Sequence, residues 1–302
     1  MNQTKKAIIF LIIANIIWGA AFPIYKLTLE NIPPFTFVFL RFFVSGLILL
    51  PFVYKNLKIK LKDVPTLVLL SLAGITLSIS FLNQGLQMTS SINAPIIFSA
   101  SPIILIIGSF LYLKETPKKK VILGTTISFL GVLLIVLMPL LASGWDGEIG
   151  GNLFLVFATI FTVIHALMLK KILPGYRFLT ITFWSFLIGS LPLIPLVNNE
   201  LINHNWISNI TAPVFLGLVF SIIFATVIAH SLSTFGIKNI NASEIGIFSY
   251  VDPIAAIMVA IPLLGEKVTN PYLIGSFLVF LGIFIAEQRI HYHPFHKLFN
   301  KN

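Results

Sequence analysis

Ten stretches of the chain, each about 20 residues long and nearly free of charge, follow one another with short breaks: 7–26, 35–54, 66–87, 91–113, 121–141, 151–170, 178–198, 210–235, 240–264 and 271–288. A helix rises 1.5 Å per residue and pairs its own backbone groups, so about 20 apolar residues cross a hydrocarbon core. The strands of a transmembrane barrel would instead show ~10-residue segments of alternating polarity. Charged residues make up 10% of the 302 residues, against about 25% in a soluble domain, too few to keep the surface in water. The expected fold class is therefore an all-α integral membrane protein with ten transmembrane helices. Lys5 and Lys6 before the first run resemble the start of a signal peptide. That run is long, has no clear A-x-A site and is followed by nine others, so it reads as an uncleaved first helix.

The net charge is +10, which raises the question of nucleic acid; its distribution answers otherwise. Seventeen of the 20 basic residues fall on one alternate set of breaks and ends: Lys5, Lys6, Lys55, Lys58, Lys60, Lys62, Lys114, Lys118 to Lys120, Lys170, Lys171, Arg177, Lys238, Arg289, Lys297 and Lys301. The other set has Lys26 and Lys267, and Arg41 lies inside a span. The positive-inside rule places both termini in the cytoplasm of a multi-pass protein in the cytoplasmic (inner) membrane. The partner expected at that face is anionic lipid headgroups; no nucleic acid is expected. The tail "HYHPFH" reads as part of a basic juxtamembrane segment rather than a metal site.

The chain also repeats. A shift of 151 residues lays Pro102 on Pro253, Leu113 on Leu264, Glu115 on Glu266, Gly124 on Gly275, Phe129 on Phe280 and Gly131 on Gly282. Earlier segments match at a shift of 144: Lys26 on Lys170, Phe42 on Phe186, Leu47 on Leu191 and Pro51 on Pro195; the longer break "NNELINHNWISN" absorbs the difference. Two units follow, 1–144 and 145–302, with five spans each. An odd number of spans turns the second unit upside down. Charge agrees: Lys118 to Lys120 follow Glu115, whereas Thr269, Asn270 and Pro271 hold the corresponding positions in the second unit. Inverted repeats of this kind build secondary transporters.

"WGAAFPIYK" (18–26), "FVFLRFFVSGLILLPF" (37–52), "QGLQMTSSINAPIIFSASPIILIIGSFLYLKE" (84–115) and "ASEIGIFSYVDPIAAIMVAIPLLGEKVTNPYLIGSFLVFLGIF" (242–284) resemble the EamA-type branch of the drug/metabolite transporter superfamily over nearly the whole chain. The resemblance implies ten helices around a central cavity, and efflux of amino acids or other small metabolites. The family usually has a small or apolar residue where this chain has Asp252.

Several polar and aromatic residues inside spans are candidates for the cavity. Ser101–Pro102 and Asp252–Pro253 occupy equivalent mid-span positions. Serine and aspartate are preferred N-caps and proline is favoured at the first helical position, so both spans are expected to break there, with Ser101 and Asp252 capping freed amides. A carboxylate at that depth is equally a candidate to bind substrate or carry a coupling proton; Tyr250 lies two residues before it. Thr76, Ser80, Asn83 and Gln87 share a helical face, read as a cavity wall. Asn15, Trp18 and Phe22 share a face of the first span, and His165 and His230 lie within the sixth and eighth. Arg41 is read as paired or reaching for the outer surface. Glu115 and Glu266, at span ends, are read as structural.

No cysteine, H-E-x-x-H, aspartate-rich motif or G-x-G-x-x-G is present, and carboxylates well inside the spans are limited to Asp252 and the neighbouring Glu244. These absences argue against thiolate or metal catalysis, an ATP-driven pump and a bound cofactor. A scaffold would need no mid-span helix breaks, and a channel would show a continuous polar ring. The expected activity is transport of a small amphipathic solute, with a membrane-embedded enzyme or a scaffold as the alternatives.

Overall fold

The computed structural model describes residues 3–101, 104, 119–143, 147–203, 205–240 and 246–287. These residues form helices, with no strand among them. They are α1 (Gln3–Thr28), α2 (Pro34–Val53), α3 (Val64–Ser71), α4 (Ser78–Met88), α5 (Asn93–Ser99), α6 (Lys119–Ser143), α7 (Gly147–Ile172), α8 (Phe178–Ser190), α9 (Ile194–Asn203), α10 (Ala212–Phe220), α11 (Ala229–Asn239), α12 (Asp252–Leu264) and α13 (Asn270–Glu287). Prolines open α2, α3, α10 and α12 in the first turn, where the missing N–H costs nothing. Six apolar helices among the described residues are long enough to cross a bilayer, and three shorter apolar ones accompany them. The protein is a multi-pass membrane protein.

Two spans carry a wider π turn. Leu72–Leu77 joins α3 to α4, and Ser221–Ile228 joins α10 to α11. The 151-residue shift carries the first onto residues 223–228, inside the second. A π turn skips an i→i+4 bond and frees a carbonyl. The Ala229 N–H bonds to Phe224 O and Thr226 O, and so bypasses Ala225 O, its usual partner.

Helices α6 and α13 pack against each other at backbone distance. A Cβ on Gly131 would stand 2.6 Å from the Gly275 carbonyl, and one on Gly282 would overlap the Gly124 carbonyl. Ser128 Oγ donates to Val279 O at 2.9 Å between these contacts. Small residues allow such approach where both helices face lipid, and the outer face of α13 presents Leu273, Ile274, Phe277 and Phe284.

The two ends of the bundle differ. At the lysine-rich end, Tyr176 Oη donates to Asp63 Oδ2 at 2.6 Å and accepts from Lys60 N at 3.0 Å, while Lys238 Nζ donates to Tyr176 O at 2.6 Å. Lys170 Nζ donates to the carbonyls of Ile237 and Ile240, both at 2.6 Å. At the lysine-poor end, Glu200 accepts from Thr36 N and Thr36 Oγ1, each at 2.7 Å, and so fixes the start of α2. Glu266 gathers the remaining chain ends there.

Candidate functional site

A cavity of about 260 Å³ lies among α1, α2, the α3–α4 span, α7, α8, α11 and the start of α12. From α1 come Asn15, Trp18, Phe22 and Tyr25, one helical stripe. Asn15 Nδ2 bonds back to Leu11 O at 2.7 Å, and the Phe22 and Phe98 rings stand 5.9 Å apart. The freed Ala225 carbonyl accepts from Trp18 Nε1 at 2.9 Å and lies 3.0 Å from His230 Nδ1. His230 sits edge-on among Trp18, Phe42 and Phe186, with centroids at 5.0, 5.4 and 5.5 Å. His165 Nδ1 lies 2.7 Å from Leu70 O, and its imidazole fills the space a Cβ on Gly74 would take. The wall is thus mostly aromatic and aliphatic, with a few polar groups set into it.

Three of those polar groups have no hydrogen-bond partner: Arg41 Nη1, Ser185 Oγ and Asp252 Oδ1. Arg41 is 1% exposed and Asp252 5% exposed. The guanidinium donates from Nη2 to Tyr25 Oη at 2.7 Å and from Nε to Thr226 Oγ1 at 3.2 Å. It lies 4.1 Å from the centre of the Tyr25 ring, with Phe42 and Phe37 at 5.2 and 5.3 Å. Arg41 is thus paired, as expected, but with two hydroxyls, and it does not reach for the surface. Among the described residues the one ion pair is Lys26–Glu266, and Arg41 is held by Tyr25, Thr226 and the three rings.

The cap expected of Asp252 is corrected. Residues Gly246–Val251 form a 3₁₀ turn, α12 starts at Asp252 itself, and its N-cap is Val251 with no side-chain cap bond. The 3₁₀ turn runs directly into α12, so the chain reaches Asp252 already in a helical conformation; Asp252 does not cap α12 but lines the cavity. The backbone there is fixed from α1, since a Cβ on Gly19 would overlap the Asp252 carbonyl.

Of the remaining candidates, Ser101, His165 and His230 line the cavity, while Pro102, Glu115, Glu244 and the "HYHPFH" tail lie outside the described residues. Pro253 is buried in the first turn of α12. Asn83 and Gln87 are not on the cavity wall. Asn83 is fully buried elsewhere with both side-chain polar atoms unpaired, and Gln87 is exposed and donates to Leu29 O at 3.2 Å. Thr76 and Ser80 line a separate groove with Phe81 and Gln84. The span turns Ile75, Ile79 and Leu82 to the cavity instead, one residue earlier and about a quarter turn away. Tyr250 packs edge-on against Phe280 at 5.8 Å, away from the wall. The periodicity did not reach Tyr25, Thr162, Thr182, Ser185, Ser233 and Thr234, all of which line the cavity.

Beyond the cavity, at the lysine-poor end, Gly265 ends α12 with φ +65°, a left-handed turn that glycine adopts freely. The turn delivers Glu266 to the α4–α5 connection. Its carboxylate accepts from Ser90 Oγ at 2.7 Å, Ser91 N at 2.8 Å, Ser91 Oγ at 2.9 Å and Ile92 N at 3.2 Å, and pairs with Lys26 Nζ at 3.3 Å. Burial pulls its pKa up, but the Ser91 amide, the Ser90 hydroxyl and Lys26 outweigh this and hold it below the ordinary glutamate value. The structural role expected of Glu266 has this concrete form.

Known proteins give the same outline. An uncharacterized transporter from Archaeoglobus fulgidus is 28% identical over 273 residues, covering 90% of this chain and 95% of its own. The uncharacterized transporter YetK of Bacillus subtilis is 29% identical over 296 residues, covering 95% and 88%. One crystal structure aligns with a TM-score of 0.67 at 15% identity over 95% of this chain and 99% of that one, a likeness of fold. The model of the EamA-like transporter family matches residues 5–137 and again 149–287. Two matches that together cover most of the sequence make this chain a member of the EamA-like transporter family.

Proposed function

We propose that the protein is a secondary transporter that exports small organic metabolites, amino acids or similar amphipathic solutes, across the cytoplasmic membrane by alternating access around the central cavity. The observation that carries this reading is the cavity itself. It is enclosed by α1, α2 and the α3–α4 span on one side and α7, α8, α11 and α12 on the other, with an aromatic wall and a buried Asp252 whose Oδ1 is unpaired. No enzyme-like cluster of metal-binding groups occurs among the described residues.

The architecture proposed with it is ten helices in two inverted units, 1–144 and 145–302, with both termini cytoplasmic. The glycine contacts support it. Gly124 corresponds to Gly275 and Gly131 to Gly282 in the repeat, so the contacts 124–282 and 131–275 are images of each other. The π turns coincide under the same shift, and the family model matches each unit once. Cysteine labelling in this cysteine-free chain tests the orientation: a membrane-impermeant reagent added outside is expected to miss position 119, and labelling there would overturn it.

Asp252 carries substrate or a coupling proton in this reading. Asp252→Ser reproduces the residue of the sister repeat, and Asp252→Asn keeps the size. Both are expected to fold and to lose counterflow in liposomes. Wild-type rates in both variants would remove Asp252 from the transport cycle.

A further inference from the structure

We propose that Arg41 and Tyr25 form a carboxylate clamp that holds the acidic end of the transported solute. The proposal rests on the transporter reading above and adds a requirement to it: the solute carries a free carboxylate.

Arg41 carries a charge that no carboxylate among the described residues balances. A guanidinium within a membrane span is costly unless it meets an anion or faces a cavity. Arg41 lies in α2 with no carboxylate in contact among the described residues. Its charge rests on the faces of Tyr25, Phe37 and Phe42. These rings soften the cost of burial but accept no in-plane hydrogen bond. The donors divide unequally. Nε is engaged by Thr226 and Nη2 by Tyr25, while Nη1 has no partner. Arg41 and Tyr25 both line the cavity.

The pair is built to hold its position. Thr226 Oγ1, which accepts from Nε, is itself tied to Ser221 O at 2.7 Å within the second π turn. Tyr25 Oη accepts from Nη2 and keeps its own hydrogen to donate. Nη1–H and Tyr25 O–H are therefore two uncommitted donors, one of them charge-assisted, on adjacent side chains that both line the cavity. A carboxylate, planar and with two oxygens, matches that supply; a neutral carbonyl accepts with about half the strength. The cavity of about 260 Å³ bounds the solute to a small molecule, and its remaining wall is largely apolar.

The test uses the full-length protein in detergent and matched probes: alanine, threonine, leucine and phenylalanine, each as free acid and as its amide. Binding is read by thermal shift and titration. For the acids that bind, the wild type is expected to prefer acid over amide by about 30-fold or more, the usual size of losing one partner of a buried charged contact. In Arg41→Gln that preference is expected to collapse to within about threefold, chiefly through loss of acid binding. Tyr25→Phe is expected to retain part of the preference, since it removes one neutral donor. Equal binding of acid and amide by the wild type overturns the clamp, whatever the folding of the variants. So does a preference that survives in a folded Arg41→Gln, or failure of every acid to bind at about 10 mM. Counterflow separates the two readings. Exchange of amides without preference for acids would leave a transporter without a clamp; tight acid binding with no exchange would leave a clamp in a protein that does not transport.

Discussion

Lys26 and Lys170 stand 144 residues apart in the last turns of α1 and α7, and each closes its end of the bundle by reaching a carbonyl just past another helix. Lys26 Nζ donates to Thr89 O at 2.7 Å and Lys170 Nζ to Ile240 O at 2.6 Å; residues 89 and 240 are themselves related by the 151-residue shift. The second partner differs. Lys26 has the carboxylate of Glu266, which also binds the α4–α5 connection, whereas Lys170 has only the carbonyl of Ile237 at the C-terminal turn of α11. One backbone scheme thus carries a charged tie at one end and a dipolar tie at the other. Both lysines donate charge-assisted bonds to carbonyls; Lys26 adds a full counter-charge at Glu266, whereas a helix C-terminus offers Lys170 only about half a negative charge. Of these two lysine ties, the one at Lys170 is therefore the weaker.

Glu266→Ala should have the largest effect. It strands two backbone amides, two hydroxyls and Lys26, and is expected to remove about 3 kcal/mol or more of stability, read as a fall in unfolding temperature in detergent. An unchanged temperature would make the tie incidental and erase the comparison. Acid titration sharpens it. Glu266 is held below its ordinary value, so its contribution is present above the unfolded value of ~4.3 and is lost as pH falls through the lower folded value. The wild type should lose stability below about pH 4, and Glu266→Gln should lack that acid limb. Next in size, Lys170→Met should cost about 1–2 kcal/mol for two carbonyl bonds; a cost above that of Glu266→Ala would reverse the ranking of the two ties. Smallest, Lys26→Met should cost about 0.5–1 kcal/mol, because Lys26 is part-exposed and Glu266 keeps its serine and amide donors.

Much of the fold was legible because a span announces itself in composition and length. Within the described residues the apolar runs fall on helices, Pro253 stands in the first turn of α12, and the stripe Asn15–Trp18–Phe22 lines the cavity. The stripe through Thr76, Ser80, Asn83 and Gln87 has the period of the cavity wall but the wrong face: Ile75, Ile79 and Leu82 keep the same spacing one residue earlier and line the cavity, and polarity alone does not say which face meets it. Asp252 looked like a cap because aspartate before proline often is one. The 3₁₀ turn that precedes it moves the cap to Val251, and nothing local in the sequence reveals such a turn. Arg41 was conspicuous as a charge inside a span. Its partners Tyr25 and Thr226 come from segments 16 and 185 residues away, a distance over which periodicity carries no information.

The carbonyl released at Ala225 constrains how the binding site can change over generations. Trp18 and His230 do two jobs, since they wall the cavity and also serve a backbone oxygen that water in the hydrocarbon zone would not reach. Replacing both with apolar residues removes both of these side-chain partners, at about 1–3 kcal/mol. Phe22, Phe98 and Phe186 meet their neighbours only through ring and aliphatic contacts. They can trade volume without any backbone debt. Changes in the shape of the cavity are therefore absorbed more readily at the phenylalanines than at the tryptophan and histidine together.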